Sequence, residues 1–404
     1  MNTSIASRCV PERQLSPAYA TIAGFCLIAV GLCMARLAYT PLVPSIIEAG
    51  WVDKASAGYL GAFNFFGYIV GGAAAILLPR IVSVRPIMRW SLLAAVTGLL
   101  ICAWDIGFVW LAVGRFITGL GGAALMIHTP AVVFKHVPDK AKSICGGIIF
   151  SGAGAAIVFV SLLLPSFVGQ GPRDGWLFEA TLTLIGGIVS WRLISTAVGA
   201  SEKRVKAIAS LDSYKKMPLF LLGMAYVLAA IAVTPHALFL ADYMHVYLKA
   251  GIGLSSTLFS LYGLGCLVGA VLGGIMSRFI GNQLALVFNY LVGVLSIVMV
   301  LGTSSITIVT AAGFLNGVFL FQCVALTALR TQDIVGLSRH AHYWGLITFG
   351  AAFGWLAGSY GLSGLLSQGV SYPTLFLIGG LVMVLATICV IMSWLAEYWH
   401  KRMS

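Results

Sequence analysis

The sequence predicts an all-α membrane protein with 12 transmembrane helices arranged as two pseudo-symmetric six-helix bundles. Three observations carry this expectation. Sixty per cent of the 404 residues are apolar, only 9% are charged, and the mean hydropathy is +0.99; about a quarter of a soluble domain is charged. The apolar residues fall into long runs, and at about 20 residues per crossing there is room for roughly a dozen. A weak repeat at an offset of 198 residues relates the two halves. A membrane barrel needs strict alternation of polar and apolar residues, and runs such as Leu219–Val233 show none.

Taken in order, residues 1–18 read as a polar cytoplasmic tail carrying Arg8 and Arg13. The run from Tyr19 is too long for a signal peptide and has no clear cleavage site, so no cleavage is expected. Spans are predicted at 19–47, 55–78, 87–105, 108–134, 143–166 and 176–198, giving a first bundle over 19–198. A basic cytoplasmic linker follows at 199–216, within the stretch ASEKRVKAIASLDSYKKM. Spans at 217–247, 255–279, 283–302, 305–329, 341–366 and 373–396 give a second bundle over 217–397, and 398–404 form a cytoplasmic tail.

With the amino terminus inside, 19 of the 24 Lys and Arg fall in or beside cytoplasmic segments. Lys54, Arg173 and Lys249 face the other side, and Arg36 and Arg115 lie within the membrane. That is the positive-inside bias, so the net charge of +12 reports topology. No basic, aromatic-interleaved module is present to bind nucleic acid. The eight cysteines are scattered, without a C-x-x-C, and read as small core residues.

At the offset of 198, Gly67 meets Gly265, Gly71 meets Gly269, and Gly119 meets Gly317. Gly147, Gly152 and Gly171 meet Gly345, Gly350 and Gly369, while Arg80 meets Arg278 and Phe116 meets Phe314. Six glycine pairs exceed the roughly three that composition predicts at an arbitrary offset. Parallel halves with a site between them near the midplane follow from such a repeat.

Several stretches resemble the major facilitator superfamily. They are Arg115-Phe-Ile-Thr-Gly119-Leu-Gly121 in the fourth span and the basic turn Leu77-Leu-Pro-Arg80-Ile-Val-Ser-Val-Arg85, which lacks the usual aspartate. More narrowly, Arg36-Leu-Ala-Tyr39-Thr-Pro41-Leu-Val-Pro44 resembles the YbfB/YjiJ-type subgroup, and Gly147-Ile-Ile-Phe-Ser-Gly152-Ala-Gly154 fits it too. The resemblance covers nearly the whole chain. It implies a secondary transporter working by alternating access, and a coupling or gating role for Arg115, Gly119 and Arg80.

Arg36 is the first candidate for binding a solute. An arginine near the middle of a span costs roughly 2.5–3.5 kcal/mol on insertion scales, so it needs a wet cavity or a partner. Guanidinium binds carboxylate in a fork, which points to an organic anion. A purely structural arginine, bonded to backbone carbonyls at the break before Pro41, is the alternative. Tyr39 and Thr40 follow on the same span. In the seventh span, Pro235 frees carbonyls beside His236, Phe239 and Tyr243, all candidate solute contacts. Asp242 is a candidate for coupling, since few acids interrupt the apolar runs. Glu179 reads as a solvated end of the sixth span. His128, Asn316 and Gln322 read as helix-packing residues.

These features predict a multi-pass protein of the bacterial inner membrane that moves a small solute, an organic anion, coupled to protons, as a monomer. No cofactor, metal site or enzymatic centre is expected, since G-x-x-x-x-G-K-[ST] and H-E-x-x-H are absent. The competing readings are efflux of amphipathic compounds and a membrane receptor that binds without transporting.

Overall fold

The structure, a computed structural model, describes residues 15–138, 141–169, 171–197 and 211–403. Most of the expected tail at 1–18 and of the linker at 199–216 lies outside these residues. Those described are helical apart from short connections. The helices are α1 (Pro17–Glu48), α2 (Lys54–Leu77), α3 (Val84–Cys102), α4 (Phe108–Val133), α5 (Lys142–Val168) and α6 (Pro172–Ser195). Then come α7 (Ser213–Tyr247), α8 (Ile252–Val298), α9 (Ile306–Val335), α10 (Leu337–Ser367) and α11 (Tyr372–Met403).

Ten helical stretches among the described residues are long and apolar enough to cross a membrane, where the apolar runs predicted 12. Two elements account for the difference. α8 counts as one stretch of 47 residues, yet Gly281 within it has φ 79° and ψ 158°. Glycine tolerates that conformation at little cost, so the chain turns there without a separate loop. Both arms, 252–280 and 282–298, then pack on α9. Gly265 abuts the Phe314 carbonyl, and Asn289 Nδ2 donates to the Phe319 carbonyl at 3.1 Å. α10 has 31 residues but is not among the ten; its first turns carry Arg339, His340 and His342.

Glycine sets the closest approaches. A Cβ at Gly67 would strike the Phe116 carbonyl, one at Gly71 the Leu120 carbonyl, and one at Gly119 the Asn64 carbonyl. Added 198 residues later, a Cβ at Gly265, Gly269 and Gly317 would strike the carbonyls of Phe314, Val318 and Tyr262. Each contact and its partner keep the same offset. Small residues thus let α2 meet α4, and α8 meet α9, backbone to backbone.

α1 and α7 depart from regular geometry. α1 is π-helical over Ala29–Leu37, and the Ala38 N–H donates to the Cys33 carbonyl at 2.9 Å, five residues back. Pro41 has no N–H to offer the Leu37 carbonyl, and its ring crowds that oxygen; the wider turn just before it absorbs the mismatch. The irregularity therefore precedes Pro41 and contains Arg36. α7 carries two π-helical segments, Pro235–Phe239 and Tyr243–Tyr247.

Candidate substrate cavity

A cavity of about 470 Å³ lies between the helices before residue 198 and those after residue 210. It is lined from both sides, by α1, α2, α4 and α5 and by α7, α8, α9 and α10. Among the described residues, Arg36 is the one charged side chain on its wall. Aromatic and small apolar residues make up most of the remainder, among them Tyr68, Tyr226, Phe319, Trp344 and Trp355. The wall runs from Arg36 and Trp355 to Gly146, near the start of α5, and to Gly274 and Ala328, each about two turns before the turn at Gly281 or the end of α9.

The Arg36 guanidinium is half-buried and held by rings. Its Cζ lies 4.1 Å from the Phe65 ring centroid, 4.4 Å from that of Trp355 and 5.6 Å from that of Tyr68. Phe65 and Trp355 stack on each other at 5.1 Å across the two halves. Cation–π contact eases the desolvation of such a group without occupying its N–H donors. Nε has no hydrogen-bond partner, and no carboxylate pairs with Arg36 among the described residues.

Arg115 has different surroundings. It is fully buried, with Cζ 4.3 Å from the Tyr39 ring and 5.9 Å from that of Trp176. Nη2 donates to the Arg36 carbonyl at 3.4 Å, while Nε and Nη1 have no partner. Asn64 ties the same region together. Its Nδ2 donates to the carbonyls of Ala35 and Arg115 and to Thr118 Oγ1 at 2.8–2.9 Å. A void of about 10 Å³, lined by both arginines, Asn64 and Thr40, separates the two sites.

The bonds that join the two halves gather at the end of the molecule away from Gly146 and Gly274. The Thr40 hydroxyl donates to the Ala237 carbonyl, and Ser256 Oγ donates to the Pro41 carbonyl at 3.3 Å. His245 Nε2 lies 2.6 Å from Glu48 Oε1. Lys54 Nζ sits 5.5 Å from the Tyr372 ring, and the Tyr372 hydroxyl donates to Asp242. This end is sealed.

Of the residues singled out from sequence, Arg36 lines the large cavity, and Thr40 and Arg115 line the small void beside it. Tyr39 stacks on Trp176 at 5.8 Å beneath Arg115, with its hydroxyl donating to the Ala57 carbonyl at 2.8 Å. His236 packs edge-on against Phe376 at 4.9 Å. Phe239 and Tyr243 pack near Tyr372 at the sealed end, with Asp242. Gly119 is a packing contact of α4 on α2. The Arg80 side chain lies outside the described residues.

Glu179 corrects the reading of a solvated helix end. α6 begins at Pro172, which sets Glu179 about two turns inside, and the residue is fully buried. Phe65 and Trp355 escape sequence reading because an aromatic residue in an apolar run carries no signal of its own. Asn64, a lone amide in such a run, does offer one.

A polytopic helical protein with an internal cavity between two repeated halves has the architecture of a membrane transporter. The particular family is given by the sequence itself. Residues 28–391 match the family described as "Uncharacterised MFS-type transporter YbfB", and the chain belongs to it. That family is one of transporters rather than enzymes. The fold is similar to that of a point mutant of the nucleoside transporter NupG, with a TM-score of 0.75 at 10% identity, covering 93% of this chain and 99% of that one. It is also similar to a bacterial homologue of the human lysosomal transporter Spinster, in an inward-facing and unoccupied conformation. There the TM-score is 0.66 at 14% identity, over 97% of this chain and 98% of that one. At these identities the likeness speaks for the fold alone. No curated protein matches the chain.

Proposed function

We propose that the protein is a secondary active transporter of a small organic anion, working by alternating access and coupled to protons. The observation that carries this reading is Arg36, the one charged group among the described residues of the cavity wall, with ring faces against it and no carboxylate partner there. In this reading the anionic group of the solute supplies that partner. The apolar, aromatic wall accepts the solute's body.

Twelve crossings in two six-helix bundles, 19–198 and 217–397, belong to the same proposal, with the arms of α8 and the helix α10 each crossing separately. The glycine contacts repeated at an offset of 198 support it. The bias of Lys and Arg supports an inner-membrane orientation with both termini cytoplasmic, in which the cavity lies toward the cytoplasm and the sealed end faces out. When the sealed end parts, Tyr39, Thr40, His236, Phe239 and Tyr243 come to line the path. Arg115, Asp242 and Gly119 serve the switch between states, and Arg80 the cytoplasmic gate. The protein acts as a monomer.

The test is flux. Proteoliposomes with an imposed pH gradient should accumulate a radiolabelled monocarboxylate, and Arg36→Ala should abolish the uptake. Efflux of amphipathic cations is the second reading, favoured by the apolar wall. Uptake of such cations that survives Arg36→Ala would establish it instead.

A further inference from the structure

Glu179 is the most isolated acid among the described residues. It has no exposed surface, and neither carboxylate oxygen has a hydrogen-bond partner. Arg115, from α4, approaches the same helix, with Cζ 5.9 Å from the ring of Trp176, which lies one turn before Glu179, and among the described residues the two form no ion pair. Cys33, from α1, and Cys102, from α3, are the other titratable groups of this buried region. An ionised carboxylate left without a donor in a dry interior is too costly to persist, and the group neutralises instead. Arg115 meanwhile leaves Nε and Nη1 unused and commits Nη2 to a long bond to the Arg36 carbonyl.

We propose that Glu179 is a proton-binding site, occupied in this conformation, whose release of the proton draws Arg115 into an ion pair. The balance is simple. The carboxyl O–H bond breaks, the proton leaves to water, and the carboxylate that remains takes N–H donors from Arg115. Drawing Arg115 toward Glu179 removes its bond to the Arg36 carbonyl. That carbonyl belongs to the π-helical segment of α1, so the proton site connects to the cavity arginine through one residue's backbone. Asn64, which holds the neighbouring Ala35 carbonyl and the Arg115 carbonyl, fixes both ends of the connection. The site rests on the transport reading only for what the proton drives.

Infrared difference spectroscopy on purified full-length protein, titrated from mildly acidic to alkaline pH with no solute present, reads the proton directly. The wild type should show the C=O band of a protonated carboxyl, lost as pH rises. Glu179→Gln should lack that band, and Glu179→Asp, kept as a second variant should the first misfold, should shift its frequency. An identical band in wild type and both variants would overturn the proposal. In proteoliposomes, Glu179→Gln should keep solute exchange but lose at least tenfold in accumulation driven by a pH gradient. Full gradient-driven accumulation in that variant would likewise overturn the coupling role. If the wild type moves no carboxylate at all, the transport reading fails, and the infrared band still decides the proton site.

Discussion

At Gly67, Gly71 and Gly119 in the first half, and at Gly265, Gly269 and Gly317 in the second, helices meet backbone to backbone in the same way. The same offset carries Arg36 to Thr234, Arg115 to Gly313 and Glu179 to Leu377. The second half does bury an arginine, Arg330, but Glu397 and Asp333 pair with it. Packing is therefore repeated, while among the described residues the half-buried Arg36 and the buried Arg115, which have no carboxylate partner, belong to the first half. The second half also buries His236 and Asp242, both in α7. Ionisable groups within a membrane are costly, and the asymmetry lies in where the guanidinium groups without a carboxylate partner sit, in α1 and α4.

The largest effect should come from breaking the shared scaffold. Gly67→Leu and Gly265→Leu each drive a side chain into a backbone carbonyl, and each should cost about 3 kcal/mol or more. Thermal unfolding in detergent would measure both, and similar losses are expected. A loss in one half only would contradict a repeated scaffold.

Arg115→Met sharpens the difference in charge. A buried cation with no carboxylate partner carries its desolvation cost with little to offset it, and an apolar side chain of similar volume removes that cost. The variant should therefore keep or raise its melting temperature and lose solute flux. A fall of several degrees with flux retained would make Arg115 a structural residue.

Smaller effects should follow at the seam between the halves. Thr40→Val removes the hydroxyl that donates to the Ala237 carbonyl, a loss of about 1 kcal/mol. The seal should loosen, which hydrogen exchange in 235–247 would register as faster exchange; unchanged exchange would remove Thr40 from the seal. Smallest of all, Thr234→Val alters the counterpart of Arg36. Its hydroxyl only returns to the Ala230 carbonyl of its own helix, so solute binding should be unchanged and stability should move by less than about 1 kcal/mol.

The long apolar runs and the glycine offset make the helices and their pairing legible, because crossing a bilayer and close backbone approach each demand a particular composition. Arg36 is legible for the same reason, as a charge where none is cheap. What surrounds it is not, since Phe65 and Trp355 reach Arg36 only through the packing of α2 and α10 on α1. Glu179 is misread from sequence because the apolar run starts the sixth span at 176, four residues after the helix begins at Pro172. The turn at Gly281 is expected as a loop between two spans. One glycine with positive φ replaces it.

In the proposed transport cycle the Arg36 guanidinium holds the anionic group of the solute. A thermal-shift screen of purified protein against monocarboxylates, sugars, amino acids and amphipathic cations, repeated with Arg36→Ala, tests it most directly. A carboxylate should stabilise the wild type and leave the variant unmoved. Stabilisation by amphipathic cations alone, or a carboxylate shift that survives the loss of Arg36, would contradict it.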